Sequence, residues 1–188
     1  MAARFPRAKS PLLERPLGRP RCDVALAAFA LLFAELVQYC QGRVRSVAEL
    51  QARLAQLGRH VGLRLLDALV SRERGLRRDT KLLGALLFLK GPAWRAIFGK
   101  EADKLEQAND DERTFYIIER EALVNAFISV PRDRRSLNCA AFAGGLAEAL
   151  LEAGGFPAAV TAHWHKGTTL MIRFEEAVVA RDKGLEGR

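Results

Sequence analysis

The chain has 188 residues, of which 49% are apolar and 28% are charged. This composition is typical of a globular protein and excludes a largely disordered chain, and the length suits one domain with a sizeable core. Three cysteines without CxxC spacing argue against a disulfide framework and fit a reducing compartment.

The net charge of +8 is concentrated at the amino terminus. Residues 1–21 hold six basic side chains, a single acidic one and four of the seven prolines. We therefore predict an extended basic arm over 1–21 and a single folded domain over 22–188. An anionic membrane, an acidic partner and solvent all stay open as surroundings of the arm. We expect no nucleic acid partner, because the arm has one aromatic residue, Phe5, and no nucleic-acid-binding module follows it.

The apolar run from Val24 to Val37 superficially resembles the core of a signal peptide. It is too short to span a bilayer, Asp23 and Glu35 bracket it, and no small-residue cleavage site follows. We therefore expect an internal helix, beginning at Asp23 and ending near Gly42.

This first helix carries two adjacent apolar stripes, so it needs cover on two sides. We expect one of those sides to be covered by another subunit. The first stripe contains Leu26, Phe29, Ala30, Phe33, Val37 and Cys40, and the second contains Ala28, Leu31 and Leu32.

A second helix is predicted to begin at Ser46, because Ser46 and Glu49 fit the S-x-x-E capping box. Gly58 and Gly62 lie one turn apart in it and permit a close helix crossing or a break. We predict that the first two helices supply the subunit interface. Its predicted residues are Ala28, Leu31, Leu32, Glu35, Leu50, Leu54 and Leu57.

A third helix is predicted over 81–90, capped by Asp79 or Thr80, with a stop or kink at Gly91-Pro92. The polar residues 100–113 then predict a surface helix and a turn.

The second half of the chain changes to a period of two, which predicts strands. The first pair covers about 115–121 and 126–130, and the second pair, about 158–165 and 170–175, is joined at Lys166-Gly167. Between the pairs, a helix is predicted from an N-cap at Ser136 to a stop at Gly154-Gly155. The order helix-helix-helix-strand-strand-helix-strand-strand predicts an α+β domain, with helices packed on a four-stranded antiparallel sheet.

Cys139, His163 and Asp182 follow the chain order of some cysteine hydrolases. A helix N-terminus lowers the pKa of a thiol, and a nearby imidazole can accept its proton. Cys139 also falls on the apolar face of its helix, where a buried and inert cysteine is the usual occupant. A hydrolase that uses Cys139 and His163 therefore stays as the alternative function, and no catalytic residue is otherwise predicted.

His163 and His165 share a strand face, but no further residue has the spacing of a metal ligand. The acidic residues between 103 and 112 lack the pattern of a calcium loop, and the paired glycines lack that of a phosphate or dinucleotide loop. We expect no metal and no cofactor.

Two long stretches carry a family resemblance. They are KGPAWRAIFGKEADKLEQANDDERTFYIIERE, from Lys90, and LNCAAFAGGLAEALLEAGGFPAAVTAHWHKGTTLMI, from Leu137. Both resemble the small, Bet-three-like subunits of the transport protein particle (TRAPP) complex, and the resemblance extends from about Phe5 to the end. It implies a fold in which the helices lie against one side of the sheet.

The resemblance also implies a non-catalytic structural role in a cytoplasmic tether, peripheral at the cis-Golgi and the endoplasmic reticulum. Such a tether supports Rab guanine-nucleotide exchange and vesicle transport from the endoplasmic reticulum to the Golgi. The implied partners are other small TRAPP subunits, especially a Bet-three-type subunit. A Rab GTPase is reached through the assembled complex, and the membrane surface is reached indirectly.

Some relatives in this family hold an acyl chain, attached to a cysteine, in a buried channel. The cysteines of this chain, Cys22, Cys40 and Cys139, sit in no matching motif. We therefore do not transfer lipidation to it.

Overall fold

The computed structural model describes residues 24–72 and 79–186, so the predicted arm and its boundary lie outside the described residues and stay predictions. Two long helices come first, α1 (Leu26–Gln41) and α2 (Val47–Arg72). The cap predicted for α1, Asp23, also lies outside the described range.

The Ser46 half of the predicted capping box at the start of α2 is present, and the Glu49 carboxylate binds the amide of Arg45 in place of that of Ser46. The Glu49 N–H donates to Ser46 Oγ at 3.1 Å, and the Arg45 N–H donates to Glu49 Oε2 at 2.8 Å. The Glu49 amide, which the helix itself cannot satisfy, is thus paired, and the Glu49 carboxylate holds the amide just before the N-cap, so the two contacts fix where α2 begins.

The next helical segment is interrupted near Pro92. Helix α3 (Leu82–Phe88) widens into a π-helical turn over 89–93 and then continues as α4 (Trp94–Phe98). Because proline has no N–H and clashes with the preceding turn, the local widening is where the predicted kink is accommodated. The cap predicted at Asp79 or Thr80 is wrong, since the Leu82 N–H donates to Asp182 Oδ1 at 2.8 Å.

Four strands form one antiparallel sheet in the order β1-β2-β4-β3, which confirms the predicted fold class. Ile117 faces Leu170, and Ile172 faces Val160, so the buried side chains of neighbouring strands share one side of the sheet. The strands are β1 (Lys104–Gln107), β2 (Thr114–Glu119), β3 (Ala158–Trp164) and β4 (Thr168–Phe174).

Two predicted elements are wrong. The polar segment 100–113, predicted as a helix and a turn, contains β1, and the strand predicted over 126–130 is absent. A short helix, α5 (Leu123–Ala126), and an irregular connection occupy that region. Strand β1 has no fully buried residue and lies at the sheet edge, so its own sequence carries no strong alternation and its pairing with β2 decides its conformation.

The long helix of the second half is α6 (Ala141–Ala153), followed after β4 by α7 (Glu176–Glu186), which was not predicted. As predicted, α6 ends directly before Gly154-Gly155. The predicted hairpin between β3 and β4 is also present. Lys166 and Gly167 both have positive φ, at 50° and 97°, and glycine adopts that conformation without steric cost.

Glycines bring the backbones of α2 and α6 into direct contact, which confirms the close crossing. A Cβ atom on Gly58 would lie 1.9 Å from the Phe142 carbonyl oxygen, and one on Gly145 would lie 1.9 Å from the Ala55 carbonyl oxygen. On its other side, α6 packs against Val160 of the sheet. Helix α6 therefore lies on the sheet, α2 crosses α6, and α1 contacts both of these helices, with one continuous cluster of buried side chains.

Candidate protein-interaction surface

Helix α1 is anchored on one side by aromatic contacts. Phe33, Val37 and Cys40 are buried. The ring of Phe33 stacks on that of Phe29, with 5.7 Å between the ring centres, and meets the ring of Phe142 of α6 edge-on, with 5.4 Å between the ring centres. Aromatic pairs in these geometries add to the stabilisation that burial provides. The orientation of α1 is thus set by its buried side.

Nothing in the described part of the chain covers the opposite side of α1. Ala28, Leu31, Leu32 and Glu35 lie on it at three- and four-residue steps, and Leu31 and Leu32 are each 70% exposed. We call these four residues the α1 face. Burying one such leucine contributes about 1.5–3 kcal/mol, so the α1 face leaves substantial apolar surface for a partner to cover.

The three predicted interface residues on α2 lie elsewhere. Leu50 and Leu54 are 2% and 0% exposed, and Leu57 is half-buried against the same core. Leu50 and Leu54 occupy the side of α2 that meets α6, because the glycine crossing draws that side inward. They hold this chain together and are not part of a free surface, so we restrict the predicted interface to the α1 face.

A second apolar feature is a cavity of about 430 Å³ between α2, α3 and α6. Asp79 is the charged side chain at its wall. The other residues that line it are Leu66, Val70, Ala85, Phe88, Leu89, Leu150, Leu151, Ala153, Gly154 and Phe156. Neither Cys40 nor Cys139 is among these residues, so the described wall offers no thiol to which an acyl chain could be attached.

The residues of the alternative hydrolase are not brought together. Cys139 is 1% exposed, and burial raises the pKa of its thiol to about 11, so the thiol stays neutral at pH 7. His163 is exposed on the side of the sheet away from α6, with Nε2 2.8 Å from Thr161 Oγ1. Asp182 caps α3. The sequence spacing of these three residues is therefore a poor guide to their positions in the fold.

His163 and His165 are both exposed. Within the described ranges 24–72 and 79–186, no group of three or more His, Cys, Asp or Glu side chains is placed to hold a metal ion.

A buried polar network that the sequence reasoning missed sets the start of α6. Asn125 Nδ2 donates to Asn138 Oδ1 at 2.9 Å and to Thr168 Oγ1 at 3.1 Å, while Asn125 Oδ1 accepts the Cys139 N–H at 3.0 Å. Asn138 Oδ1 also accepts the Ala140 N–H at 3.0 Å. The predicted N-cap, Ser136, is therefore wrong. The available signal was Asn138, a residue type that often binds free amides where a helix begins.

A second polar contact ties α4 to the sheet. Trp94 Nε1 donates to the buried carboxylate of Glu119 at 3.3 Å, and Lys100 Nζ lies 3.4 Å from the other oxygen of that carboxylate. Burial raises the pKa of Glu119, and the charge of Lys100 acts against that rise. The hydrogen bond between Trp94 and Glu119 therefore joins α4 to β2.

No helix in the described part of the chain combines the length and the apolar character that crossing a membrane requires.

Comparison with known proteins identifies the family. The model of the transport protein particle (TRAPP) component family matches residues 29–175. Trafficking protein particle complex subunit 5 of Gallus gallus is 76% identical over 188 residues, and the human protein of that name is 72% identical, with all of each chain covered. The Dictyostelium discoideum protein of that name is 39% identical over 178 residues, which cover 91% of this chain and 96% of the relative.

The fold comparison agrees. A crystal structure of trafficking protein particle complex subunit 3 from Naegleria fowleri, covalently bound to palmitic acid, superposes with a TM-score of 0.72 at 18% identity. The match covers 80% of this chain and 95% of that chain. At this identity the likeness concerns the fold, and it fits the predicted Bet-three-like arrangement of helices on an antiparallel sheet. By its family match and its full-length relatives, the chain belongs to the TRAPP component family.

Proposed function

We propose that this chain is a non-catalytic structural subunit of the multisubunit TRAPP complex. It pairs through the α1 face with another small subunit of the family, of the Bet-three type. The observation that carries this proposal is the exposure of Leu31 and Leu32, each 70%, on a helix whose other side is firmly anchored. Contiguous apolar surface of this kind marks protein interfaces.

Through the assembled complex, the subunit supports guanine-nucleotide exchange on a Rab GTPase and vesicle transport from the endoplasmic reticulum to the Golgi. It acts in the cytoplasm, peripherally at the cis-Golgi and the endoplasmic reticulum, and reaches the membrane surface indirectly. Family membership and the names of the relatives support this role. No residue of this chain is assigned to act on the nucleotide.

The test is a double substitution, Leu31→Glu with Leu32→Glu, in chain co-expressed with a tagged TRAPP subunit 3. Two charges placed in the α1 face remain unpaired when a partner covers them, so we expect co-purification to be lost. The fold should be retained, because both side chains already lie in solvent. Thermal unfolding of the isolated variant checks that retention.

A matched control is Leu83→Glu with Leu87→Glu, a leucine pair on α3 that is 56% and 52% exposed. This variant should co-purify with subunit 3 as the unchanged chain does. Normal co-purification of the Leu31 and Leu32 variant would show that the α1 face is not the pairing surface.

A further inference from the structure

The α1 face ends at an ordered pair of side chains. Tyr39 is exposed one turn beyond Glu35, and the guanidinium carbon of Arg43 lies 3.5 Å from the centre of its ring. Arg43 Nη1 also donates to the Tyr39 carbonyl oxygen at 3.1 Å. Tyrosine and arginine are the residue types that contribute most at protein interfaces, and this pair is held in place before any partner arrives.

Two further arginines stand in the same region. Arg45 lies in the turn from α1 to α2, and Arg53 lies two turns into α2, where its Nη1 donates to Gln56 Oε1 at 2.7 Å. Burial raises the pKa of the Cys40 thiol, and the charges of Arg53 and Arg43 are close enough to act against that rise. We call Arg43, Arg45 and Arg53 the basic end.

In the described part of the chain, none of these three guanidinium groups has an ion-pair partner. The acid nearest in sequence, Glu49, accepts the backbone N–H of Arg45. Elsewhere on α2 the situation differs, because Arg59 is paired with both Glu148 and Glu152 of α6. The basic end therefore carries three positive charges against the single carboxylate of Glu49, which leaves a local excess of positive charge.

We propose that the partner surface that covers the α1 face carries a cluster of carboxylate side chains opposite the basic end. This inference rests on the proposed function and adds the chemistry of the partner. Arginine forms two-pronged hydrogen bonds with carboxylates, and complementary charge at the edge of an apolar contact speeds association and fixes its register.

A protein fits this surface better than a lipid bilayer does. Each arginine near an anionic membrane contributes about 1 kcal/mol, so three of them give only weak attachment. Leu31 and Tyr39 lie two four-residue steps apart on one side of α1, and Arg43 packs on the Tyr39 ring beyond them, so the leucines and the arginines follow one another along one row. A helix that presents apolar and acidic residues side by side can cover both at once.

The test measures the association rate of purified chain with purified TRAPP subunit 3 at low and at high salt. The variant carries Arg43→Glu, Arg45→Glu and Arg53→Glu. At low salt we expect association to slow by about tenfold or more, and at high salt the difference should largely vanish. A milder variant, Arg53→Gln, should slow association by about threefold and keeps the test decisive if the triple variant is unstable.

The matched control reverses the same amount of charge elsewhere, with Lys104→Glu, Arg120→Glu and Arg173→Glu. All three residues are exposed and lie outside the α1–α2 pair: Lys104 is in β1, Arg120 follows β2, and Arg173 is in β4. This control should associate at nearly the rate of the unchanged chain.

The outcomes distinguish a failure of the acidic partner surface from a failure of the proposed function. If Leu31→Glu with Leu32→Glu abolishes pairing and the arginine variants associate normally, the acidic partner surface is wrong and the proposed function stands. If the leucine variant pairs normally, both proposals fail. If the triple arginine variant loses binding to phosphatidylserine vesicles and keeps its rate with subunit 3, the basic end serves a lipid surface and the inference is overturned.

Discussion

Helices α1 and α2 both carry more apolar surface than one contact can cover, and they differ in how it is buried. Glycines in α2 and α6 allow the two backbones to touch, so Leu50 and Leu54 are enclosed within the chain. Helix α1 has no such crossing on its outer side, and Leu31 and Leu32 stay in solvent. The difference teaches that the α2–α6 pair is complete within the chain, whereas α1 leaves two leucines exposed, which is the surface that the proposed partner would cover.

The largest effect is expected from Gly145→Val at the α2–α6 crossing. A Cβ on Gly145 would lie 1.9 Å from the Ala55 carbonyl oxygen, so the helices must separate and loosen the contacts on both sides. We expect the free energy of unfolding to fall by more than about 3 kcal/mol, measured by urea denaturation.

The matched control is Gly184→Ala, in α7, where the added Cβ would meet no side chain and no other element within 4 Å. It should raise stability by up to about 1 kcal/mol, because alanine favours the helix over glycine. A Gly145→Val protein as stable as the unchanged chain would contradict the backbone contact.

A paired leucine experiment sharpens the comparison directly. Leu54→Ala should lower the free energy of unfolding by about 2–5 kcal/mol, because it leaves a cavity in the core. Leu31→Ala deletes the same atoms at a position where they are exposed to solvent, so it should change the free energy of unfolding by less than about 0.5 kcal/mol. Denaturation of both variants measures the difference, and equal losses would mean that the outer side of α1 is buried within the monomer.

The polar network at the start of α6 should give a smaller effect. Asn125→Ala leaves the Cys139 N–H, Thr168 Oγ1 and Asn138 Oδ1 without their Asn125 partner in a mostly buried site. We expect a loss of about 1–3 kcal/mol in the free energy of unfolding, measured by thermal or urea denaturation. The control is Asn109→Ala, at an exposed asparagine, which should leave the free energy of unfolding nearly unchanged. If Asn125→Ala also left it unchanged, the network would not hold α6 in place.

The smallest effect concerns Glu119 and is a dependence on pH. Its pKa is raised in the folded chain above the ordinary value of 4.5, chiefly by burial. Between the ordinary and the raised pKa, the unfolded chain loses this proton first and binds fewer protons than the folded chain. The contribution of Glu119 to stability is therefore present below pH 4.5 and is lost as the pH rises through the folded pKa.

Glu119→Gln removes this titration. Between pH 4.5 and the raised pKa, the free energy of unfolding of the unchanged chain should fall relative to that of the variant as the pH rises. Urea denaturation of both proteins across this pH range measures the difference. A constant difference across the interval would mean that Glu119 ionises in the folded chain as it does in the unfolded one.

The elements that the sequence predicts well are those with strong local patterns. The alternation around Val160 and Leu170 predicts β3 and β4, and the helical spacing before Gly154-Gly155 predicts α6. Strand β1 and the cap of α3 were missed because distant residues decide them. Lys104 takes its strand conformation from pairing with Ile118, and the amide of Leu82 is capped by Asp182, 100 residues later.

For the candidate site, the sequence by itself determined that α1 has two apolar stripes and that the glycines of α2 permit a close crossing or a break. Helical periodicity depends only on the spacing of side chains, so it identifies an apolar stripe without identifying what covers it. The tertiary structure alone decided that Leu50 and Leu54 turn inward and that Leu31 and Leu32 turn outward. It also separated Cys139 from His163. The two residues lie on opposite sides of the sheet, and the spacing of residues along the sequence does not show on which side of a sheet a helix packs.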